Sequence, residues 1–347
     1  MKTFLPEYLR KLTADIFQIC GTPPDDACML ADMLVKANLM GLDSHGVLRI
    51  PQYVSEIRQG VIRPGAPITL HRESATTAIV DGGWNFGHIA AMQAVEVAAR
   101  KARQYAMSSI VLRRCRHVGN LGAYVIAASE RHFVALATAG SAGEGQRVAP
   151  WGGREGRLAT NPIAFAAPTS GNPIMLDFST SMASEGKIRL MLNKGEALPS
   201  GWIVKNTGEP SSDPKDLYES PPGAILPFGG SEGYKGFALS LMAQILSGLL
   251  GPPSWNETGI ESHANVMWLM VIDINAFMPF DAFVREMDDF VSYVRSSAPL
   301  SGSGGVIMPG DLNFLEMNRR NEAGIPVDDE TWRQIVQVAQ DLGIAAK

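Results

Sequence analysis

Cysteine is scarce in this sequence, with only Cys20, Cys28 and Cys115 among 347 residues. Three scattered thiols exclude the disulfide framework on which small secreted domains depend, and no pair has the CxxC spacing of a structural zinc site. Without a cluster of metal ligands, a metal-dependent hydrolase is disfavoured as well. We therefore expect free, buried thiols in a reducing compartment.

Long apolar runs are also missing. The most apolar stretch, 266–272, is far shorter than the roughly 20 residues that span a bilayer. A signal peptide needs an uninterrupted apolar stretch, whereas Glu7, Arg10, Lys11 and Asp15 interrupt the N-terminal segment. We expect no membrane association and a cytoplasmic location.

An excess of basic charge is absent too. Lysine and arginine total 30 against 35 aspartates and glutamates, which gives a net charge of -5. Nucleic-acid binders usually carry a basic stripe, so we expect no nucleic-acid partner. An acidic chain can still bind a small anion through one local arginine. The length allows two domains, or one large domain with an appendage, and a sizeable core.

The hydrophobic pattern predicts helices and strands that alternate through much of the chain. The order strand, helix, strand over 109–138 favours a mixed or parallel sheet covered by helices. The predicted helices span 5–40 (two helices), 43–59, 87–106, 122–131, 236–250, 279–295 and 329–342. The predicted strands span 67–80, 109–112, 133–138, 163–166, 174–176 and 266–274.

A Rossmann fingerprint is lacking. The segment 140–145 follows a predicted strand, but its glycines have the spacing GxxGxG and not GxGxxG. No amphipathic helix pattern follows it, so no helix N-terminus is available for a pyrophosphate. We expect any dinucleotide to be held in another way.

The segment 43–49, Asp-Ser-His-Gly-Val-Leu-Arg, is the most informative local feature. On a helix, His45 and Arg49 share a face, with Tyr53 one turn further, although Pro51 would delay or kink that helix. Arginine binds carboxylates bidentately, and histidine exchanges protons near neutral pH. Taken alone, the motif fits either a substrate site or a capping histidine beside a surface arginine.

A second candidate histidine, His117, lies between a predicted strand and a predicted helix, where sites collect in α/β folds. A simple turn histidine remains the alternative. The other histidines have no comparable context and are predicted to be structural: His71, His88, His132 and His263.

Two further segments carry groups that suit phosphate or ribose. Asp177 is followed by Phe178, Ser179, Thr180 and Ser181, and such hydroxyls and backbone amides can bind anions, although a plain β-turn has the same composition. The segment 233–236, Gly-Tyr-Lys-Gly, opens a predicted helix and could meet a phosphate there.

Together, these segments resemble the malate/L-lactate dehydrogenase family, which also includes ureidoglycolate, sulfolactate, diketogulonate and piperideine-2-carboxylate oxidoreductases. This family is distinct from the Rossmann-type lactate and malate dehydrogenases. The matching stretches occur in order over about residues 1–320 and comprise 41–49, 148–153, 160–162, 176–181 with 186–187, 198–202, 208–214, 229–239 and 309–311.

The resemblance implies an α/β fold peculiar to the family, with a mixed sheet, a non-Rossmann NAD(P)-binding part, a helical part built from the termini, and a homodimer. On this basis we divide the chain into three parts. Residues 1–75 form a helical segment that carries the His/Arg motif, 76–300 a sheet-based NAD(P)-binding domain, and 301–347 a segment that packs with the N-terminal helices.

The resemblance also implies hydride transfer between NAD or NADP and C2 of a small 2-hydroxy or 2-keto acid. It implies that His45 exchanges the proton with Asp177 orienting it, or that His117 takes this role as in one branch. Substrate groups would be held by Ser44, Arg49 and Tyr53. The implied cofactor contacts are Ser141, Asp177, Phe178, Ser179, Thr180, Ser181, Tyr234, Lys235, Gly310 and Asp311.

The chain departs from the family pattern beside His117, where Arg116 replaces an expected asparagine. An added guanidinium is expected to lower the pKa of His117. The loop 143–147 is also unusual, and Ala159 replaces a glycine. These departures leave two alternatives open: a cyclic imino-acid reductase of the same family, and a non-catalytic nucleotide-binding homologue.

Overall fold

The computed structural model describes residues 2–143, 145–251, 259 and 264–346. Glu144 of the unusual loop and His263 lie outside the described residues. In these ranges, no helix combines the length and the apolar character that crossing a bilayer requires.

Helices and strands alternate along the described chain. The helices are α1 Pro6–Ile19, α2 Pro24–Leu39, α3 Ile50–Arg58, α4 Gly87–Tyr105, α5 Gly122–Ser129, α6 Glu185–Lys194, α7 Gly233–Gln244, α8 Phe280–Arg295, α9 Asp311–Ala323 and α10 Asp329–Asp341. The strands are β1 Lys2–Phe4, β2 Thr69–Glu73, β3 Thr77–Asp81, β4 Met107–Cys115, β5 Phe133–Ser141, β6 Ile163–Ala167, β7 Ile174–Phe178, β8 Ile203–Val204, β9 Pro210–Ser211, β10 Ala224–Ile225, β11 Asn265–Asp273 and β12 Ile325–Val327.

A seven-stranded sheet forms the centre of the fold, in the order β2-β3-β4-β11-β5-β6-β7. The β3–β4 pair is parallel, and the other neighbouring strands pair antiparallel. The predicted mixed sheet is therefore confirmed. Strand β11, from late in the chain, inserts between β4 and β5 and pairs antiparallel with both.

Helices α4 and α5 pack on this sheet through small side chains. Ala90, Ala94 and Ala98 of α4 are fully buried in one cluster with Leu112 of β4 and Leu269 of β11. Alanine lets the helix backbone approach the sheet closely, so the alanine-rich pattern of α4 follows from its position.

The two ends of the chain form a second core, as predicted. Phe17 of α1, Leu34 of α2, Tyr53 of α3 and Trp332 of α10 belong to one buried cluster. Strand β1 pairs antiparallel with β12 and joins the ends directly. The helical part therefore brings the His/Arg motif against segments from the C-terminal end.

The helix predicted over 43–59 is not continuous, which corrects that prediction. Two short 3-10 turns, Asp43–His45 and Val47–Arg49, precede α3. Pro51 lies in the first turn of α3, where its missing N–H and fixed φ are tolerated. Proline thus sets where the helix begins.

Candidate active site

A cavity of about 440 Å³ collects segments that are distant in sequence. Its lining includes side chains from 44–52, 116–119, 139–141, 159–162 and 184–189. This volume is typical of a site for a small molecule. Of the residues predicted for the site, Ser44, His45, Arg49, His117 and Ser141 line it.

Buried polar contacts hold the two 3-10 turns in place. Asn38 Oδ1 accepts a hydrogen bond from the Val47 amide at 2.8 Å, and Asn38 Nδ2 donates to Asp43 at 2.6 Å. Arg320 of α9 donates to the same carboxylate at 2.6 Å. A Cβ at Gly46 would lie 2.1 Å from Asn38 Oδ1, so glycine is required there. These contacts direct His45 and Arg49 into one cavity without a continuous helix.

Arg49 is held from behind by two hydrogen bonds. Its Nε donates to the Ser44 carbonyl at 2.7 Å, and its Nη1 donates to Gln52 Oε1 at 2.7 Å. A Cβ at Gly186 would lie 3.5 Å from Nη2, so the backbone of α6 approaches the guanidinium. Since a guanidinium carries several N–H donors, Arg49 keeps donors for a carboxylate in the cavity.

The imidazoles of His45 and His117 stack, with ring centroids 5.5 Å apart and planes 17° apart. His45 Nδ1 lies 3.0 Å from Ser44 Oγ, and His117 Nδ1 lies 2.7 Å from Tyr53 Oη. In both rings Nδ1 forms a hydrogen bond with a hydroxyl, so Nε2 is available to a ligand.

Tyr53 was predicted to hold substrate, but the structure places it behind His117. Its side chain is buried with 1% exposure, and it is not part of the cavity lining. Burial raises the pKa of its hydroxyl, so the hydroxyl stays neutral and orients the imidazole.

Both imidazoles are neutral near pH 7. Burial lowers the pKa of His45 to about 4, with the charge of Arg49 acting in the same direction. Burial also lowers the pKa of His117 well below its usual value. Arg49 and the neighbouring histidines lower this pKa further, and Arg116 is the weakest cause. The direction predicted for His117 is confirmed, but burial is its main origin. Neutral imidazoles can accept a proton.

A third histidine, His88, belongs to the same cluster although the sequence prediction treated it as structural. It is 3% exposed, and its ring centroid lies 6.2 Å from that of His117. Among the described residues its Nδ1 has no hydrogen-bond partner, and burial lowers its pKa to about 3. No motif surrounds it, because the packing of α4 alone brings it there.

Asp177 was predicted to orient His45, but the structure gives its carboxylate a different partner. Its Oδ2 accepts a hydrogen bond from the Gly122 amide at 2.7 Å, at the N-terminus of α5. Burial raises its pKa to about 6, opposed by the amides of Gly122 and Leu121. No hydrogen bond joins it to His45 in the part of the chain that the structure describes. In this structure Asp177 caps a helix.

The hydroxyls that follow Asp177 donate hydrogen bonds to backbone carbonyls. Thr180 Oγ1 donates to the Asn161 carbonyl at 2.9 Å, and Ser181 Oγ donates to the Ala183 carbonyl at 2.8 Å. Ser179 Oγ donates to Ser181 at 3.1 Å. This turn therefore supports the cavity wall at Asn161 while Phe178 remains 41% exposed.

The other predicted contacts also lie outside the cavity lining. Tyr234 and Lys235 are exposed in the first turn of α7, where Lys235 pairs with Glu232 at 3.1 Å. Gly310 precedes α9 with φ of 96°. Asp311 accepts from Arg295 at 2.9 Å and from the Met308 amide at 2.9 Å.

The cavity wall contains one buried acceptor that sequence analysis did not single out. Asn161 is fully buried, its φ is positive at 37°, and its Nδ2 donates to the Ser240 carbonyl at 3.1 Å. Its Oδ1 has no partner within the described ranges. Since an unsatisfied buried acceptor is costly, this oxygen is suited to accept a hydrogen bond from a bound molecule.

Comparison with known proteins agrees with this architecture. The malate dehydrogenase of Pyrococcus abyssi is 34% identical over 332 residues, which cover 93% of this chain and 90% of that protein. The solved structure of sulfolactate dehydrogenase from Methanocaldococcus jannaschii superposes with a TM-score of 0.89 at 30% identity, covering 99% of this chain and 98% of the other.

The structure of delta1-piperideine-2-carboxylate reductase from Pseudomonas syringae pv. tomato superposes with a TM-score of 0.84 at 30% identity, covering 98% of this chain and all of the other (100%). The family model described as malate/L-lactate dehydrogenase matches residues 4–336. The chain therefore belongs to the malate/L-lactate dehydrogenase family, and its relatives that act on CH–OH groups include malate, L-sulfolactate and L-lactate dehydrogenases.

Proposed function

We propose that this protein transfers a hydride between the nicotinamide of NAD or NADP and C2 of a small 2-hydroxy or 2-keto acid. One observation carries the proposal: the Arg49 guanidinium, which has further N–H donors for a ligand, lines a single cavity with the neutral imidazoles of His45 and His117. The guanidinium can bind the carboxylate of such an acid, and an imidazole can accept the proton that the substrate hydroxyl must lose.

Arg49 binds the substrate carboxylate bidentately and so positions C2 and its hydroxyl beside the imidazoles. Positioning of this kind contributes several kcal/mol to catalysis. A nicotinamide ring bound in this cavity would supply the acceptor or the donor for the C2 hydride. During oxidation, Nε2 of His45 or His117 takes the hydroxyl proton as the carbonyl forms. During reduction, the same nitrogen returns that proton to the carbonyl oxygen.

The residues present fit a nicotinamide group. The unpartnered Oδ1 of Asn161 is suited to accept from a carboxamide NH₂, and Ser141 lies on the same wall. For the remainder of the cofactor we retain the predicted residues as a proposal, and the contact of Thr180 with Asn161 supports those that follow β7. They are Asp177, Phe178, Ser179, Thr180, Ser181, Tyr234, Lys235, Gly310 and Asp311.

A second candidate is reduction of a cyclic imino acid. The similarity to the piperideine-2-carboxylate reductase favours it, and Arg49 would bind the carboxylate of that substrate equally well. The imidazole would then protonate nitrogen instead of oxygen as C2 receives the hydride.

A panel of substrates tests the proposal. Oxidation of NADH and of NADPH is followed with pyruvate, oxaloacetate, a sulfonated 2-keto acid and a cyclic imine. Turnover of a 2-keto acid supports the first candidate, and turnover of the imine alone supports the second. Cofactor binding without turnover of any of these compounds would indicate a non-catalytic homologue.

We also propose a homodimer, the predicted three-part division of the chain, and a cytoplasmic location. Apolar side chains exposed on α7 and the segment that follows it support the dimer, among them Met242, Ile245 and Leu249, which are 39%, 49% and 52% exposed. Light scattering should give about twice the mass of one chain, and the mass of a single chain would contradict the dimer.

A further inference from the structure

A buried carboxylate, Glu56, lies behind the candidate active site. Glu56 is 9% exposed, and its carboxylate forms a bidentate ion pair with Arg116. Arg116 Nη2 donates to Glu56 Oε1 at 2.8 Å, and Arg116 Nε donates to Oε2 at 3.2 Å. Arg116 therefore has a buried partner on α3.

Glu56 also reaches Arg49 through one intermediate residue. Gln52 Nε2 donates to Glu56 Oε1 at 2.9 Å, and Gln52 Oε1 accepts from Arg49 Nη1 at 2.7 Å. The two ends of an amide differ in function, since its nitrogen only donates and its oxygen only accepts. Because the carboxylate captures the nitrogen, the oxygen of Gln52 must face the guanidinium.

The spacing on α3 explains why these groups align. Gln52 and Glu56 are four residues apart and therefore share a helix face. Tyr53, which orients His117, lies in the same turn. Helix α3 thus supports the carboxylate-binding arginine and an imidazole from one rigid element.

We propose that Glu56 is a positioning residue for substrate binding: it orients Gln52, which fixes the Arg49 guanidinium toward the substrate carboxylate. This inference rests on the proposed function. Glu56 does not line the cavity, so its effect reaches the substrate through Gln52 and Arg49. Without the carboxylate, the Gln52 amide rotates freely and Arg49 samples orientations that do not bind.

A double-mutant cycle tests the path. E56L and Q52L are each expected to raise KM for the 2-keto acid about 10-fold with kcat changed less than about 3-fold, because ground-state and transition-state binding weaken together. The double variant should be no worse than the more impaired single variant, since both substitutions interrupt one path. Unchanged KM in E56L, or a multiplied effect of about 100-fold in the double variant, would overturn the proposal.

Two further variants separate positioning from loss of stability. Asp273 is a buried carboxylate at the far end of β11, paired with Arg103 at 2.9 Å. D273N should lower Tm and leave KM unchanged. If E56L does not fold, the cycle is run with E56L/R116L, because proteins often tolerate the removal of both charges of a buried pair. Q52L is then measured in the R116L background as its reference. A KM for E56L/R116L equal to that of R116L would contradict the proposal.

The outcomes also distinguish this inference from the proposed function. A wild-type protein that reduces no 2-keto acid and no cyclic imine contradicts the function itself. A wild-type protein that turns over, with variants whose effects multiply, contradicts only the role of Glu56.

Discussion

Two groups of predicted site residues differ in what their polar atoms contact. The first group, His45, Arg49 and His117, reaches one cavity with donors and ring nitrogens left over. The second group follows β7, and there Thr180 and Ser181 donate to backbone carbonyls. The first group has polar atoms available to a ligand, whereas the hydroxyls of the second group already donate to the backbone and would act on the proposed cofactor site through the shape of the loop. Predictions for the two groups should therefore differ in size and in kind.

The largest effect is expected at the imidazoles. His45→Ala and His117→Ala each remove a group that can carry the proton, and loss of the true carrier should lower kcat more than about 100-fold. Steady-state rates with a saturating 2-keto acid measure it. His71→Ala, on the exposed strand β2, is the control. If neither imidazole variant loses kcat, the proton takes another route.

The next effect concerns substrate capture. Arg49→Lys keeps the charge but loses the planar fork and the bonds to Ser44 and Gln52, so KM for the acid should rise about 10-fold or more. The KM for the cofactor should stay within about 2-fold. Equal losses for acid and cofactor would place Arg49 outside the carboxylate site.

A smaller effect is expected in the second group. Ser181→Ala removes a buried hydrogen bond to the Ala183 carbonyl, worth about 1 kcal/mol. The loop should loosen, so KM for the cofactor should rise a few-fold and KM for the acid should not change. A loss of kcat as large as that of the imidazole variants would erase the distinction between the two groups.

The smallest effect concerns pH. Oxidation needs the neutral imidazole, and the pKa of His45 is lowered to about 4. The neutral form therefore predominates well above that value and is lost as pH falls toward it. From about pH 8 to about pH 6, kcat/KM for oxidation should change less than about 2-fold. A steep decline of kcat/KM already near pH 7 would show that the proton is accepted by a group with an ordinary histidine pKa.

Helices rich in buried apolar residues were predictable from the sequence, and helices that bury few residues were missed. Helices α4 and α5 lie close to the predicted 87–106 and 122–131 because their apolar faces are wide. Helix α6 was missed because Ile188 is its one buried residue. Helix α9 buries only Phe314 and Arg320, and such a mixed pair gives no apolar pattern.

The site was predictable where a motif carries its own chemistry and unpredictable where the partner is remote. His45 and Arg49 stand in one short segment. His88 and Glu56 join them only through packing, and neither has a motif around it. The contact of Asp177 was not predicted from its motif, because its partner is a backbone amide and the identity of a side chain does not reveal such a partner.

Isotope transfer tests the central claim most directly. The protein is incubated with nicotinamide cofactor deuterated at C4 and with a 2-keto acid that it reduces, and the product is analysed by mass spectrometry. With the 2-keto acid held well below its KM, we predict deuterium at C2 of the hydroxy acid, and the rate of its appearance should be about 10-fold lower in the Arg49→Lys variant. Product without deuterium at C2, or an undiminished rate in that variant, would contradict hydride transfer in this cavity.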